Sequence, residues 1–140
     1  MTTKTILIAE DDRLSRDLLK EAFLAFAGHC VVRVAGDGSE ALDVFGAERI
    51  DVLLTDLIMP VMDGFELIAM VRARDRCIPI YVMTSCCIDL AQERLKGQDI
   101  SGYFPKPYDV FEMISLITGS PLPKDCFDHY GGKTEGATTP

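Results

Sequence analysis

Val52-Leu53-Leu54-Thr55 is an unbroken run of strand length that ends on an acid, Asp56. Ile6-Leu7-Ile8-Ala9 behaves the same way and runs directly into Glu10-Asp11-Asp12. Val31-Val32-Arg33-Val34 and Ile80-Tyr81-Val82-Met83 are two more such runs, and Tyr103-Phe104 is a weaker fifth. Apolar character that is continuous rather than alternating marks strands covered on both faces, and so a parallel sheet.

Helical patterns separate these runs. Leu14, Leu18, Ala22 and Phe26 recur at helical spacing, with Leu19 and Phe23 widening the stripe. Ala41, Leu42 and Phe45 form a second apolar face, Leu67, Met70 and Val71 a third, and Val110, Ile114 and Ile117 a fifth. The fourth pattern, Asp89 to Lys96, carries only Leu90, Ala91 and Leu95, and is expected to be the least firmly seated. Asp63-x-x-Glu66, Asp89-x-x-Gln92 and Asp109-x-x-Glu112 read as helix starts, an N-cap acid followed three residues on by an acid or amide. Gly38 and Gly64 read as turn and helix-start residues. Strand and helix thus alternate five times. Right-handed crossovers place helices on both sheet faces, giving an α/β, three-layer α/β/α sandwich.

The chain has 140 residues, 48% hydrophobic and 26% charged, the balance of one globular domain. Its net charge of −8 would repel a phosphate backbone, so direct nucleic-acid binding is disfavoured, as is attachment to acidic lipid. No run of about 18 apolar residues is present to span a membrane. Five cysteines (Cys30, Cys77, Cys86, Cys87 and Cys126), with no signal-peptide pattern at the N-terminus, imply reduced thiols and a cytoplasmic location. They are expected to be buried or half-buried structural thiols. His29 and His129 are isolated and carry no ligand role, and Met59, Met62 and Met70 read as packing. The domain is expected to occupy residues 1–118. Residues 119–140, with four Gly, three Pro and three Thr, read as a flexible tail or linker stub.

Residues able to do chemistry collect where the strands stop. Glu10, Asp11 and Asp12 follow the first run, Asp56 ends the third, Thr84-Ser85 ends the fourth and Lys106 follows the fifth. In an open parallel sheet the carboxyl ends of the strands line one crevice. Clustered carboxylates call for a hard cation, and two carboxylates, a backbone carbonyl and waters suit Mg²⁺ or Mn²⁺. Lysine adds a point charge for a phosphoryl oxygen and threonine a hydrogen bond. The set fits phosphoryl transfer. Asp56, at the end of a buried strand, is the candidate nucleophile for an acyl phosphate, and Glu10 and Asp11 are better placed for the metal.

On these motifs the sequence resembles the receiver domain of two-component response regulators. The resemblance spans about residues 4–118. It rests on Ile6-Leu7-Ile8-Ala9-Glu10-Asp11-Asp12, Leu54-Thr55-Asp56-Leu57-Ile58-Met59-Pro60-Val61-Met62-Asp63-Gly64, Val82-Met83-Thr84-Ser85 and Tyr103-Phe104-Pro105-Lys106-Pro107. It implies a flavodoxin-like (βα)5 fold with strand order 2-1-3-4-5. It implies that Asp56 accepts a phosphoryl group from a sensor histidine kinase or a histidine phosphotransfer protein. Mg²⁺ (or Mn²⁺) would then be held by Asp11, Asp56 and the backbone carbonyl of Ile58, with Glu10 acting through a water. Lys106 and Thr84 would hold the phosphoryl group, Tyr103 would be the switch aromatic, and the bond to Pro107 would be cis. Asp12 is read as a loop or cap residue. A downstream protein would dock on the face of the fourth helix, fifth strand and fifth helix, with the chain a monomer or a phosphorylation-dependent dimer.

The family's positions two residues after the acceptor and after the hydroxyl influence water attack. Here they are Ile58 and Cys86, neither able to orient a water readily, which implies a long phosphoryl lifetime. A dehalogenase-like phosphatase would carry Asp-x-Asp, and Ile58 stands where its second acid belongs. A degenerate receiver would have lost an acid or the lysine, and none is lost. A stand-alone regulator is the preferred reading. The alternative is the N-terminal receiver of a longer multidomain regulator or hybrid kinase.

Overall fold

The computed structural model describes residues 3–119. The tail expected at 119–140 therefore lies, from residue 120 on, outside the described residues, and Cys126 and His129 with it. Five strands, β1 (Lys4–Ala9), β2 (Cys30–Ala35), β3 (Val52–Asp56), β4 (Ile80–Thr84) and β5 (Gly102–Pro105), form one sheet in the order β2-β1-β3-β4-β5, with every pairing parallel. Five helices alternate with them: α1 (Arg13–Phe26), α2 (Gly38–Ala47), α3 (Gly64–Arg74), α4 (Ile88–Arg94) and α5 (Val110–Thr118).

Each apolar strand is divided between two cores because successive side chains point to opposite faces. Ile6 and Ile8 of β1, with Val52 and Leu54 of β3, join Leu19 and Phe23 of α1 and Met113, Ile114 and Ile117 of α5. Leu7, Ala9 and Leu53 join Ala41 of α2, Leu67, Ile68 and Val71 of α3, and Ala91 and Leu95 of the α4 segment. All five residues of β3 are buried, as befits the central strand of a covered sheet.

Helix starts follow from side-chain chemistry. Asp12, Asp37, Asp63 and Asp109 are the N-caps of α1, α2, α3 and α5, each accepting from a backbone N–H in the first turn. Asp12 is thus a cap, as expected. The start expected at Asp89 is displaced: α4 begins at Ile88, its N-cap is Cys87, and no side chain caps it. A thiol cannot match a carboxylate as an acceptor, so α4 starts without the anchor its neighbours have. The Arg94 guanidinium, 3.7 Å from the ring centre of Phe65, ties its other end to α3.

Three packing expectations are corrected. Leu14, Leu18 and Phe26 of α1 are 68%, 60% and 40% exposed, and the buried seam is Leu19 and Phe23. The stripe expected through Leu14 is rotated because α1 packs on β1, β2 and α5 along the line of its two most deeply buried residues. Met70 is exposed, unlike Met59 and Met62, since Leu67, Ile68 and Val71 already fill the inner face of α3. Cys77 and Cys87 are exposed free thiols, both lying in connections outside the core, whereas Cys30 and Cys86 are half-buried.

Gly64 is required by close approach. Its N–H donates to the Leu57 carbonyl at 2.8 Å, and a Cβ there would lie 2.0 Å from the Asp56 carbonyl oxygen. Only a residue without a side chain lets α3 start this close to the end of β3.

The position of the α1 seam has a direct test in urea unfolding. Phe23→Ala is expected to cost about 3–5 kcal/mol. Leu18→Ala is expected to stay within roughly 0.5 kcal/mol of the wild type. Equal costs at the two positions would restore the stripe through Leu18.

Candidate functional site

The carboxyl ends of β1, β3, β4 and β5 meet at one edge of the sheet. Asp56 is the last residue of β3 and only 5% exposed. Its Oδ1 accepts from the N–H groups of Leu57 at 2.7 Å and Ile58 at 3.3 Å. Its Oδ2 lies 2.5 Å from Lys106 Nζ. The same ammonium donates to Glu10 Oε1 at 3.0 Å. Glu10 is fully buried directly after β1, and Asp11 is exposed beside it. Carboxylate oxygens of Glu10, Asp11 and Asp56 lie within 4.8 Å of one another. Among the described residues this is the one group of side chains that gathers like metal ligands. The Cys86-Cys87 pair does not form a second.

Burial and charge oppose each other here. Removing Glu10 from water pushes its carboxyl up from the usual range, an effect only partly offset by hydrogen bonds from Lys106 and the Asp12 N–H. Burial alone would lower Lys106. Hydrogen bonds to Asp56 and Glu10, and the two negative charges, outweigh it and hold the ammonium above its ordinary value. Lys106 is thus permanently charged. The Tyr108 phenol, half-buried nearby, is raised by burial and then by the Glu10 charge.

An all-oxygen donor set of three acids fits a hard divalent cation. It does not fit a soft ion, which would call for sulfur or imidazole. Ile58, whose carbonyl was expected to contribute, follows Asp56 by two residues with its side chain 59% exposed.

Thr84 ends β4 and is fully buried. Its hydroxyl oxygen accepts from the Cys86 N–H at 3.0 Å and lies 2.9 Å from Cys86 Sγ. Its carbonyl accepts from the Lys106 N–H at 2.8 Å, which fixes the backbone of the lysine against β4. Tyr103 is half-buried on β5, opposite Val82 in the register, and packs on the same core cluster as Cys86. The Lys106–Pro107 peptide bond is cis, as expected. The Lys106–Glu10 pair, 96 residues apart, was not expected from the sequence, nor was the Cys86 thiol on Thr84. Only the placement of all four residues at strand ends pointed to such contacts.

Residues 6–118 match the family described as the response regulator receiver domain. The chain belongs to that family. Such receivers are signalling proteins rather than turnover enzymes. It is 38% identical over 114 residues to response regulator MprA of Mycobacterium avium, covering 80% of this chain and 48% of that protein. The MprA protein of Mycobacterium tuberculosis is matched to the same extent. The receiver spans about half the length of these curated relatives. The chemotaxis response regulator CheY4 of Vibrio cholerae superposes with a TM-score of 0.71 at 28% identity, covering 81% of this chain and 93% of that one. The receiver domain of a Francisella response regulator does so with a TM-score of 0.72 at 27% identity, covering 80% and 91%. No helix among the described residues is long and apolar enough to cross a membrane.

The raised Glu10 carboxyl sets a pH dependence. The folded protein holds that proton more tightly than the unfolded chain, so stability falls as pH rises through the upper carboxylate range. Without divalent metal, Glu10→Gln is expected to raise the urea midpoint at pH 7. The gain should vanish as pH falls well below the ordinary glutamate value, where the wild-type carboxyl is protonated in both states. A midpoint lowered at pH 7 would show that the Lys106 pair outweighs burial.

Proposed function

We propose that this receiver takes a phosphoryl group on Asp56 from a phosphohistidine of a sensor histidine kinase or histidine phosphotransfer protein. The observation that supports this most is the convergence of three carboxylates within 4.8 Å, with the Lys106 ammonium 2.5 Å from Asp56. In the transfer, an Asp56 carboxylate oxygen forms a bond to phosphorus as the phosphorus–nitrogen bond breaks. The electron pair returns to the donor imidazole. Backbone N–H groups of Leu57 and Ile58 hold Oδ1 and so orient the attacking group.

Asp11, Asp56 and the Ile58 carbonyl would hold Mg²⁺ or Mn²⁺ directly, with Glu10 acting through a water. Such an ion neutralises phosphoryl and carboxylate charge as they approach. Lys106 supplies the second fixed positive charge. The acyl phosphate brings added negative charge to the site, which gives Lys106 and the Thr84 hydroxyl a new partner. The β4–α4 connection is drawn inward, Tyr103 occupies the space released, and the face of α4, β5 and α5 changes shape for a downstream protein. The phosphoryl group biases this equilibrium only through its unequal interaction with the two arrangements. Direct nucleic-acid or membrane binding forms no part of the proposal. The receiver acts as a monomer or as a dimer formed on phosphorylation.

We take the receiver domain as residues 1–118, with the family match over residues 6–118 as its support. A second reading, a receiver within a longer multidomain regulator or hybrid kinase, is favoured by the length of the curated relatives, about twice the matched segment.

Incubation with Mg²⁺ and acetyl phosphate is expected to add one phosphoryl group, seen by intact-mass measurement. Asp56→Asn is expected to add none, and labelling that survives this change would move the acceptor elsewhere. Sustained turnover of a small phosphate ester would favour a phosphatase instead.

The exposed Ile58 side chain offers an incoming water no hydrogen bond, so phosphoryl loss from purified protein is expected to be slow. Ile58→Asn is expected to speed it, as followed by the decay of the phosphorylated mass. Fast loss that this variant leaves unchanged would refute the assignment.

A further inference from the structure

A threonine hydroxyl has one proton to donate and two lone pairs to accept with. On Thr84 one lone pair is taken by the Cys86 N–H. The Cys86 sulfur lies 2.9 Å from the same oxygen. That contact has two proton arrangements. In one, the hydroxyl donates to sulfur and has nothing left to offer. In the other, the S–H donates to the second lone pair and the hydroxyl proton is free. The surroundings of Cys86 make this contact matter. The thiol is half-buried, packs on the cluster that also holds Tyr103, and immediately precedes the N-cap of a helix that no side chain caps. Thr84 and Cys86 therefore tie the connection that leads into α4.

We propose that the Cys86 thiol is a positioning group for the Thr84 hydroxyl, its sulfur holding the hydroxyl proton at rest and so opposing donation to a phosphoryl oxygen on Asp56. The inference rests on the receiver reading given above. No covalent step is involved. As Thr84 turns its proton to the phosphoryl group, it gives up the hydrogen bond to sulfur, and the S–H, a weak donor, does not make up the loss. The thiol thus sets how readily the hydroxyl is released, and it acts through Thr84 rather than on phosphorus.

Beryllofluoride with Mg²⁺, a stable mimic of the phosphoryl group, probes this equilibrium by calorimetric titration. Cys86→Ala is expected to tighten binding about three- to tenfold, the worth of one net hydrogen bond. Cys86→Val keeps the volume without the proton acceptor and should match Cys86→Ala. Cys86→Ser restores an acceptor and should return the affinity to near the wild-type value. In a Thr84→Ala background, Cys86→Ala should change nothing, because the group it acts on is gone. Unchanged or weaker binding in Cys86→Ala overturns the proposal, as does an equal gain in the Thr84→Ala background. If wild-type binding is seen and Asp56→Asn removes it, such a result removes only the thiol inference. If the wild type binds no beryllofluoride, or Asp56→Asn binds it equally well, the receiver reading falls and this proposal with it.

Discussion

Three carboxylates gathered within 4.8 Å of one another repel, and the rest of the site is organised around that repulsion. Lys106 answers it from the end of β5, with its ammonium shared between Asp56 and Glu10. The pairing is expensive in solvation because Glu10 is fully buried and Asp56 nearly so. It persists because the scaffold leaves neither acid anywhere else to go. The sheet register delivers β1 and β3 side by side, and the short connection after β5 delivers the lysine. Such a site is poised: it is charged enough to bind more positive charge and closed enough to make each new charge count.

The scaffold that does this is plain in its physics. β3 lies between β1 and β4, and burial of all its residues fixes where Asp56 ends up. Gly64 then folds α3 back so closely that its amide bonds the Leu57 carbonyl. Gly38 does the same for α2, donating its N–H to the Met62 carbonyl at 2.9 Å. Two helix starts thus brace the loop behind the acceptor. Val61 in that loop has a positive φ of 68° and is 84% exposed, an arrangement a β-branched residue adopts only where its neighbours impose it.

Much of this was legible in the chain itself. Continuous apolar runs gave five parallel strands because a doubly covered strand has no polar face to reveal. Asp12, Asp63 and Asp109 were readable as caps because a carboxylate beside free amides has one obvious partner. The acids, Thr84 and Lys106 were readable because strand ends share an edge. What escaped reading depends on rotation and on distance in space. A helical stripe fixes a period but not which of two neighbouring stripes faces the sheet, so Leu14 and Leu18 were placed inward in error. The α4 start was misplaced because Asp89 has the composition of a cap, while the chain had already turned helical at Ile88. Nothing local could show that Lys106 would reach Glu10 or that Cys86 would rest on Thr84.

At the far edge of the sheet, Arg72 of α3 is buried without a carboxylate partner. Its guanidinium instead donates to the carbonyls of Asp75, Ile78 and Asp99, which stand at the end of α3 and before β4 and β5. One side chain rivets together the places where two strands begin. The same two strands end at Thr84 and Lys106, beside a helix with no cap. The two strands are therefore fastened at the end away from the carboxylates. The fastening is concentrated in one guanidinium at that rim of β4 and β5, and the opposite rim, with Thr84 and Lys106, leads into an α4 start that no side chain caps.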